Sequence, residues 1–240
     1  SPSASDPALS GVSEFFARVW PSDLYEAEVI GQYAIDEGIE RIAAVYSNDD
    51  YGQGFFNAFA EVASEERIAL NIPFPENTSD FRPTIQRILS SDCDAIMLVS
   101  LPEKARLFLS QTPEPLASLP ILATGTIEDP SILSMQNVER VTFASPAPTA
   151  DNSAMRQRFE TAYLNEYGKA PAVLSDTGFD AAWLLATSLR EAGTPAAAMA
   201  LIKNLTEFDG ASGKLTFDQN GDVRKPYNLK RGTPEGFVFV

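Results

Sequence analysis

The stretch Ile42-Ala43-Ala44-Val45-Tyr46, opened by Glu40-Arg41 and closed by Ser47-Asn48-Asp49-Asp50, decides how the rest of the chain is read. Five apolar residues with no polar alternation describe a strand buried on both faces, and such strands belong to parallel sheets covered by helices. Upstream, Pro21-Ser22-Asp23 opens a helix. Asp23 caps free amides, Glu26 follows three residues on as in a capping box, and Leu24, Ala27, Ile30 and Ala34 recur at helical spacing before Gly38. Downstream, Phe55, Phe59 and Val62 mark a second helix. The alternation then repeats, with strands over 68–72, 95–99, 120–123 and 141–144. Between them lie a helix carrying Phe81, Ile85, Ile88 and Leu89, one over 104–109 and a short one over 130–135. Five buried strands separated by amphipathic helices, with no tight hairpins among them, predict an α/β lobe around a parallel sheet.

The pattern changes after Ser145-Pro146-Ala147-Pro148. Three helices follow, carrying Phe159, Ala162, Tyr163 and Tyr167; Phe179, Ala182, Trp183, Ala186 and Leu189; and Ala198, Leu201, Ile202 and Leu205. Their apolar faces need a sheet to cover. The tail over 210–240 reads as two or three strands, with Asn220-Gly221 as a hairpin turn.

Composition narrows the function. The 240 residues are 44% hydrophobic, enough to bury one large core or two modest ones. Eighteen Lys and Arg against 33 Asp and Glu give a net charge of -15 with no basic patch, which argues against a nucleic-acid or anionic-membrane partner. Cys93 is the single cysteine and there is no histidine, so intrachain disulfides, multi-cysteine metal sites and imidazole bases are excluded. Cys93, just before a buried strand, reads as packing. No apolar run reaches membrane-spanning length. The opening SPSASDPALSG has neither the basic start nor the apolar stretch of a signal peptide.

Local motifs for catalysis fail one by one. Gly210-Ala211-Ser212-Gly213-Lys214-Leu215-Thr216 has the outline of a phosphate loop, but Phe208 stands where its first glycine belongs and a strand follows where a helix is needed. Asp218, Asn220 and Asp222 open like a calcium loop, yet Leu229 occupies the closing position. No G-x-S-x-G elbow or S-x-x-K motif places a nucleophile beside its activator. The chain is therefore expected to be no enzyme and to carry no cofactor or metal.

What remains are the loops at strand ends, where open parallel sheets bind ligands. Residues 47–54 follow the first strand, Ser100-Leu101-Pro102 the third, Thr124-Gly125-Thr126 the fourth and Ser145-Pro146 the fifth. Tyr51 offers a ring and a hydroxyl; Ser100, Thr124 and Thr126 offer hydrogen bonds. On composition alone, ordinary turns and a ligand-binding edge are both open.

Several segments, in order and spacing, are similar to type I periplasmic solute-binding proteins of the branched-chain amino acid (Leu/Ile/Val)-binding family. They are the opening ten residues, Phe16-Ala17-Arg18-Val19-Trp20-Pro21-Ser22-Asp23, Asn48-Asp49-Asp50-Tyr51-Gly52-Gln53-Gly54, Ser79-Asp80-Phe81, Gly178-Phe179-Asp180-Ala181-Ala182, and the tail Phe208-Asp209-Gly210-Ala211-Ser212-Gly213 with Phe217-Asp218-Gln219-Asn220-Gly221-Asp222. The resemblance covers essentially the whole chain. It implies two Rossmann-like lobes with parallel sheets, the N-terminal lobe incomplete because family members begin with about a third more chain. Residues 1–21 and 147–216 would form the N-terminal lobe, and 22–146 and 217–240 the C-terminal one.

The same resemblance implies that Ser3, Ala4 and Ser5 belong to a loop holding the carboxylate and ammonium of an amino-acid ligand, and that Tyr51 lines the second lobe. The carboxylate that meets the ammonium in leucine-type binders falls near Gly125, which has none; Glu128 is the nearby replacement, and aromatic acids or other small carboxylates join the expected solutes. The implied function is periplasmic or extracellular capture of a small solute for the membrane permease of an ABC importer. A ligand-sensing regulatory domain and a non-binding partner module are the alternatives. With lobe strands missing, self-association or a retained N-terminal fragment is expected.

Overall fold

The computed structural model describes residues 1–146, 153–172 and 174–240. Ala147 and Pro148, at the expected change of pattern, lie outside them. The chain divides into two compact units, Ser1–Ser22 with Ala147–Pro226, and Asp23–Pro146 with Tyr227–Val240.

The second unit is the alternating α/β lobe. In chain order its elements are α1 (Asp23–Asp36), β1 (Ile42–Ser47), α2 (Asp50–Ala63), β2 (Ile68–Phe74), α3 (Arg82–Leu89), β3 (Ala95–Val99), α4 (Pro102–Gln111), β4 (Ile121–Ala123), α5 (Pro130–Leu133) and β5 (Val141–Pro146). Strands β1 to β5 pair in parallel in the order β2-β1-β3-β4-β5. Each residue of β1 and β3 is buried, because the two faces of the sheet support separate cores. Ala43, Val45, Ile96, Leu98, Ile121 and Phe143 point to one face and pack with α3 and α4 through Ile85, Ile88 and Phe108. Ala44, Tyr46, Met97, Val99, Leu122 and Ala144 point to the other and pack with α1 and α2 through Ala27, Ile30, Phe55 and Phe59. Leu24, expected on the apolar stripe of α1, is exposed. Cys93 packs against the first of these cores, and burial pushes its thiol up.

The first unit holds α6 (Ala154–Tyr167), α7 (Ser175–Ala192) and α8 (Pro195–Lys203), followed by β6 (Phe208–Gly210) and β7 (Gly213–Leu215), an antiparallel pair. Among its described residues, β6 and β7 are the only named strands. Val19, Leu184, Met199, Ile202, Leu215, Phe217 and Val223 form its core. Trp183, Leu185 and Leu189 of α7 are exposed.

The tail holds more strands than expected. After β6 and β7, the chain adds β8 (Tyr227–Thr233) and β9 (Gly236–Phe239), which extend the large sheet in antiparallel fashion beside β5. Asn220-Gly221 does form the hairpin turn, closed by a single bridge between Phe217 and Val223, with Gly221 at φ +85°. Residues 217–226, expected in the same lobe as β8, instead pack in the first unit. Phe217 and Val223 enter its core, and Asp222 meets the buried Arg18 guanidinium at 2.7 Å.

Candidate functional site

Parallel pairing puts the carboxyl ends of β1, β3, β4 and β5 on one edge of the sheet. The turn after β1 is built around Asp49, whose Oδ1 accepts from the Gly52 N–H and from Ser47 Oγ, each at 2.8 Å. A Cβ at position 52 would stand 2.0 Å from the Ser47 carbonyl oxygen, so only glycine lets α2 start this close to β1. That places Tyr51 in the first turn of α2.

From Tyr51 a hydroxyl relay crosses three loops. Its hydroxyl donates to Thr124 Oγ1 at 2.7 Å, Thr124 and Thr126 hydroxyls are 2.8 Å apart, and Thr126 Oγ1 donates to the Ser100 carbonyl at 2.9 Å. A carbonyl only accepts, so Thr126 spends its proton there and Thr124 donates to Thr126. The relay therefore runs one way, from Tyr51 inward. Ser100 Oγ, fully buried beside it, has no hydrogen-bond partner among the described residues. Of the sequence-predicted residues, Tyr51, Ser100, Thr124, Gly125 and Thr126 thus come together.

Sequence reasoning missed Glu26. Expected to cap its own helix, it instead accepts a hydrogen bond at Oε1 from the Gly125 N–H, 99 residues away. Burial, and next to it the charge of Asp23, push its carboxyl well above the usual carboxylate range, outweighing the Gly125 N–H. Burial also pushes the Tyr51 phenol up, helped by Glu26 and Asp23 and opposed by its threonine partners. The signal was present: Glu26 lies four residues before Ile30, on the buried stripe of α1. Glu128, the acid expected to serve beside Gly125, is otherwise engaged, accepting from Ser145 Oγ at 2.8 Å and pairing with Lys230 at 2.5 Å.

Ser3, Ala4 and Ser5 lie in the first unit, in an exposed to half-buried loop. Arg18 holds its base: the fully buried guanidinium donates to the Asp6 carbonyl at 2.8 Å and to Ser10 Oγ at 2.7 Å. The phosphate-loop outline is closed from within, because the Asp180 carboxylate accepts the Ala211 and Ser212 N–H groups at 2.6 and 2.8 Å. Asp218 accepts from the Asn220 and Asp222 N–H groups, so the calcium-like spacing serves the hairpin turn.

A family model described as periplasmic binding protein matches residues 2–232. The chain belongs to the periplasmic binding protein family. Its fold is the type I form of that family. Among solved structures, a leucine-binding protein from Thermotoga maritima superposes with a TM-score of 0.85 at 24% identity, over 100% of this chain and 71% of that one. A branched-chain amino acid transporter substrate-binding protein from Streptococcus pneumoniae, in complex with isoleucine, gives 0.80 at 19% identity over 100% and 71%. A solute-binding protein of an ABC transporter from Rhodopseudomonas palustris, in complex with benzoate, gives 0.82 at 15% identity over 100% and 69%. No curated protein sequence matches the chain. Members of this periplasmic binding protein family bind rather than transform their ligands. Among the described residues no helix is long and apolar enough to cross a membrane.

Proposed function

We propose that this periplasmic binding protein captures a small amino-acid-like or carboxylate solute outside the cytoplasm and delivers it to the membrane permease of an ABC importer. The observation that carries the reading is the edge cluster of Tyr51, Ser100, Thr124 and Thr126. Hydroxyls from three loops converge at the carboxyl ends of parallel strands, with the buried Ser100 Oγ left to bond. Neighbours of the same fold carry isoleucine or benzoate, solutes of the proposed size and chemistry. Ser3, Ala4 and Ser5 serve as a second solute-contacting loop, and the two units serve as the two lobes. Nothing in this reading calls for turnover.

Calorimetric titration of the complete gene product with leucine, isoleucine, benzoate and further small carboxylates tests it. We expect at least one solute to bind at micromolar affinity or better and to be recovered unchanged. Failure of the whole panel, or turnover abolished by one side-chain change, defeats the reading.

A further inference from the structure

We propose that Glu26 is the positioning residue of the hydroxyl site: through the Gly125 N–H it fixes the turn at 124–126, and through that turn the relay that holds Tyr51. The inference rests on the solute-binding reading and adds to it a residue outside the strand-end loops.

The turn closes on itself through the Ile127 and Glu128 N–H groups, which donate to the Thr124 and Gly125 carbonyls at 3.0 and 3.1 Å, and Ile127 is buried beneath it; Glu26 adds a tie from outside, at the Gly125 N–H. Thr124 and Thr126 spend their hydroxyl protons along the relay, and Gly125 has no side chain. A Cβ at position 125 would stand 3.0 Å from the Ala144 carbonyl oxygen and 3.7 Å from Glu26 Oε1, so the glycine sits tight against β5 with the Glu26 carboxyl in ordinary contact beside it. The carboxyl is carried on α1, whose Ala27, Ile30 and Ala34 are fully buried against the sheet. A helix packed in this way is a firmer support than a loop. If solute binds against Tyr51, Glu26 sets the geometry of that wall without touching the solute.

The charge environment makes this support depend on pH. Beside Glu26 lie Asp23 on α1 and Tyr51 on α2, while the Glu128–Lys230 pair joins the turn after β4 to β8. Tyr227 at the start of β8 packs against the same core, and Tyr33 of α1 meets Arg231 of β8 further along the helix. Lys230 pairs with Glu128 and Arg231 with Tyr33, and the influences on the Glu26 carboxyl are its burial, the charge of Asp23 and the Gly125 N–H, with no cation among them. Ionisation of Glu26 therefore favours water entry and a loosened turn. Solute affinity falls as pH rises through the native titration of Glu26.

The test uses the complete gene product with leucine and benzoate as probes, in wild-type, Glu26→Gln and Glu26→Leu forms. Glutamine keeps an oxygen to accept from Gly125; leucine fills the space without one. We expect Glu26→Gln to bind within about threefold of wild type at pH 6 and to lose the fall in affinity at higher pH. Glu26→Leu should lose tenfold or more at every pH, in the range of one lost hydrogen bond. In amide NMR, the Gly125 proton should titrate above the usual carboxylate range in wild type and stay constant in Glu26→Gln. A Gly125 amide that does not titrate, or unchanged affinity in Glu26→Leu, overturns the positioning role. If neither probe nor any other small carboxylate binds wild type, the solute-capture reading falls, while the Gly125 titration still decides whether Glu26 governs the turn.

Discussion

Replacing Asp222 by Asn should unfold the first unit at far lower denaturant than the second. The Arg18 guanidinium is 0% exposed, and its Nε donates to Asp222 Oδ1 at 2.7 Å. Its other nitrogens reach the Asp6 carbonyl and Ser10 Oγ, and Ser10 Oγ in turn donates to Asp222 Oδ2 at 2.6 Å. Asparagine keeps the shape but removes the charge, leaving a buried cation unbalanced. Breaking a buried pair in this way costs about 3–5 kcal/mol, a third or more of what many domains have in total. At an m-value of about 1.5 kcal/mol per molar, that is a urea midpoint shift of roughly 2–3 M. The assay is selective, because Trp20 and Trp183 are the chain's only tryptophans and both belong to the first unit. Tryptophan fluorescence should report the early transition, while circular dichroism resolves a second step from the α/β unit. Arg41→Ala, which breaks an ion pair with both side chains more than half exposed, should leave the curve in place. A shift below about 0.5 M for Asp222→Asn, equivalent to under about 1 kcal/mol, would refute the reasoning.

In the complete gene product, Ser5→Ala and Tyr51→Ala should each weaken solute binding, by about 1.5–3 kcal/mol where a hydrogen bond to a charged solute group is lost; calorimetry showing both variants unchanged removes them from the site. The raised native value of Glu26 means the folded chain holds a proton that the unfolded chain releases above about pH 4.5. Its stabilising contribution is complete below that pH and declines toward the native value, by up to about 1.4 kcal/mol per pH unit. Wild-type and Glu26→Gln stability curves that run parallel from pH 4 upward would contradict this. Gly52→Ala drives a methyl into the Ser47 carbonyl and should cost about 1–3 kcal/mol, seen as a lowered melting temperature. Finally, with Trp183, Leu185 and Leu189 exposed on α7, the 240-residue chain should self-associate, and a strictly monomeric mass by light scattering would count against it.

The strands of the α/β unit were legible because their burial is written locally. Ile42 to Tyr46 have no polar residue among them, and a strand with two buried faces needs none. The strand-end residues were legible for the same reason, since parallel order alone brings Tyr51, Ser100 and Thr124 to one edge. Partners that act across the sequence were not. Glu26 fits a capping pattern with Asp23, and nothing within one turn reveals that it bonds to Gly125 instead. Residues 217–226 read as the start of the final strands, yet Arg18, 204 residues before Asp222, decides where that hairpin packs.

The carboxyl groups of Asp180 and Glu26 share a physical role that also bears on the site. Asp180 satisfies the Ala211 and Ser212 amides, and Glu26 satisfies that of Gly125. In each case a buried acid on a helix takes up backbone donors in a glycine-containing turn, which would otherwise need water or a ligand. Such turns are the usual anion receptors of α/β proteins, so these bonds remove that option at both places. At the Thr124–Thr126 turn, a solute bound as proposed would meet hydroxyls in a fixed order. Order established before binding lowers the entropy lost on binding, and here it depends on a helix that the strand-end loops alone do not reveal.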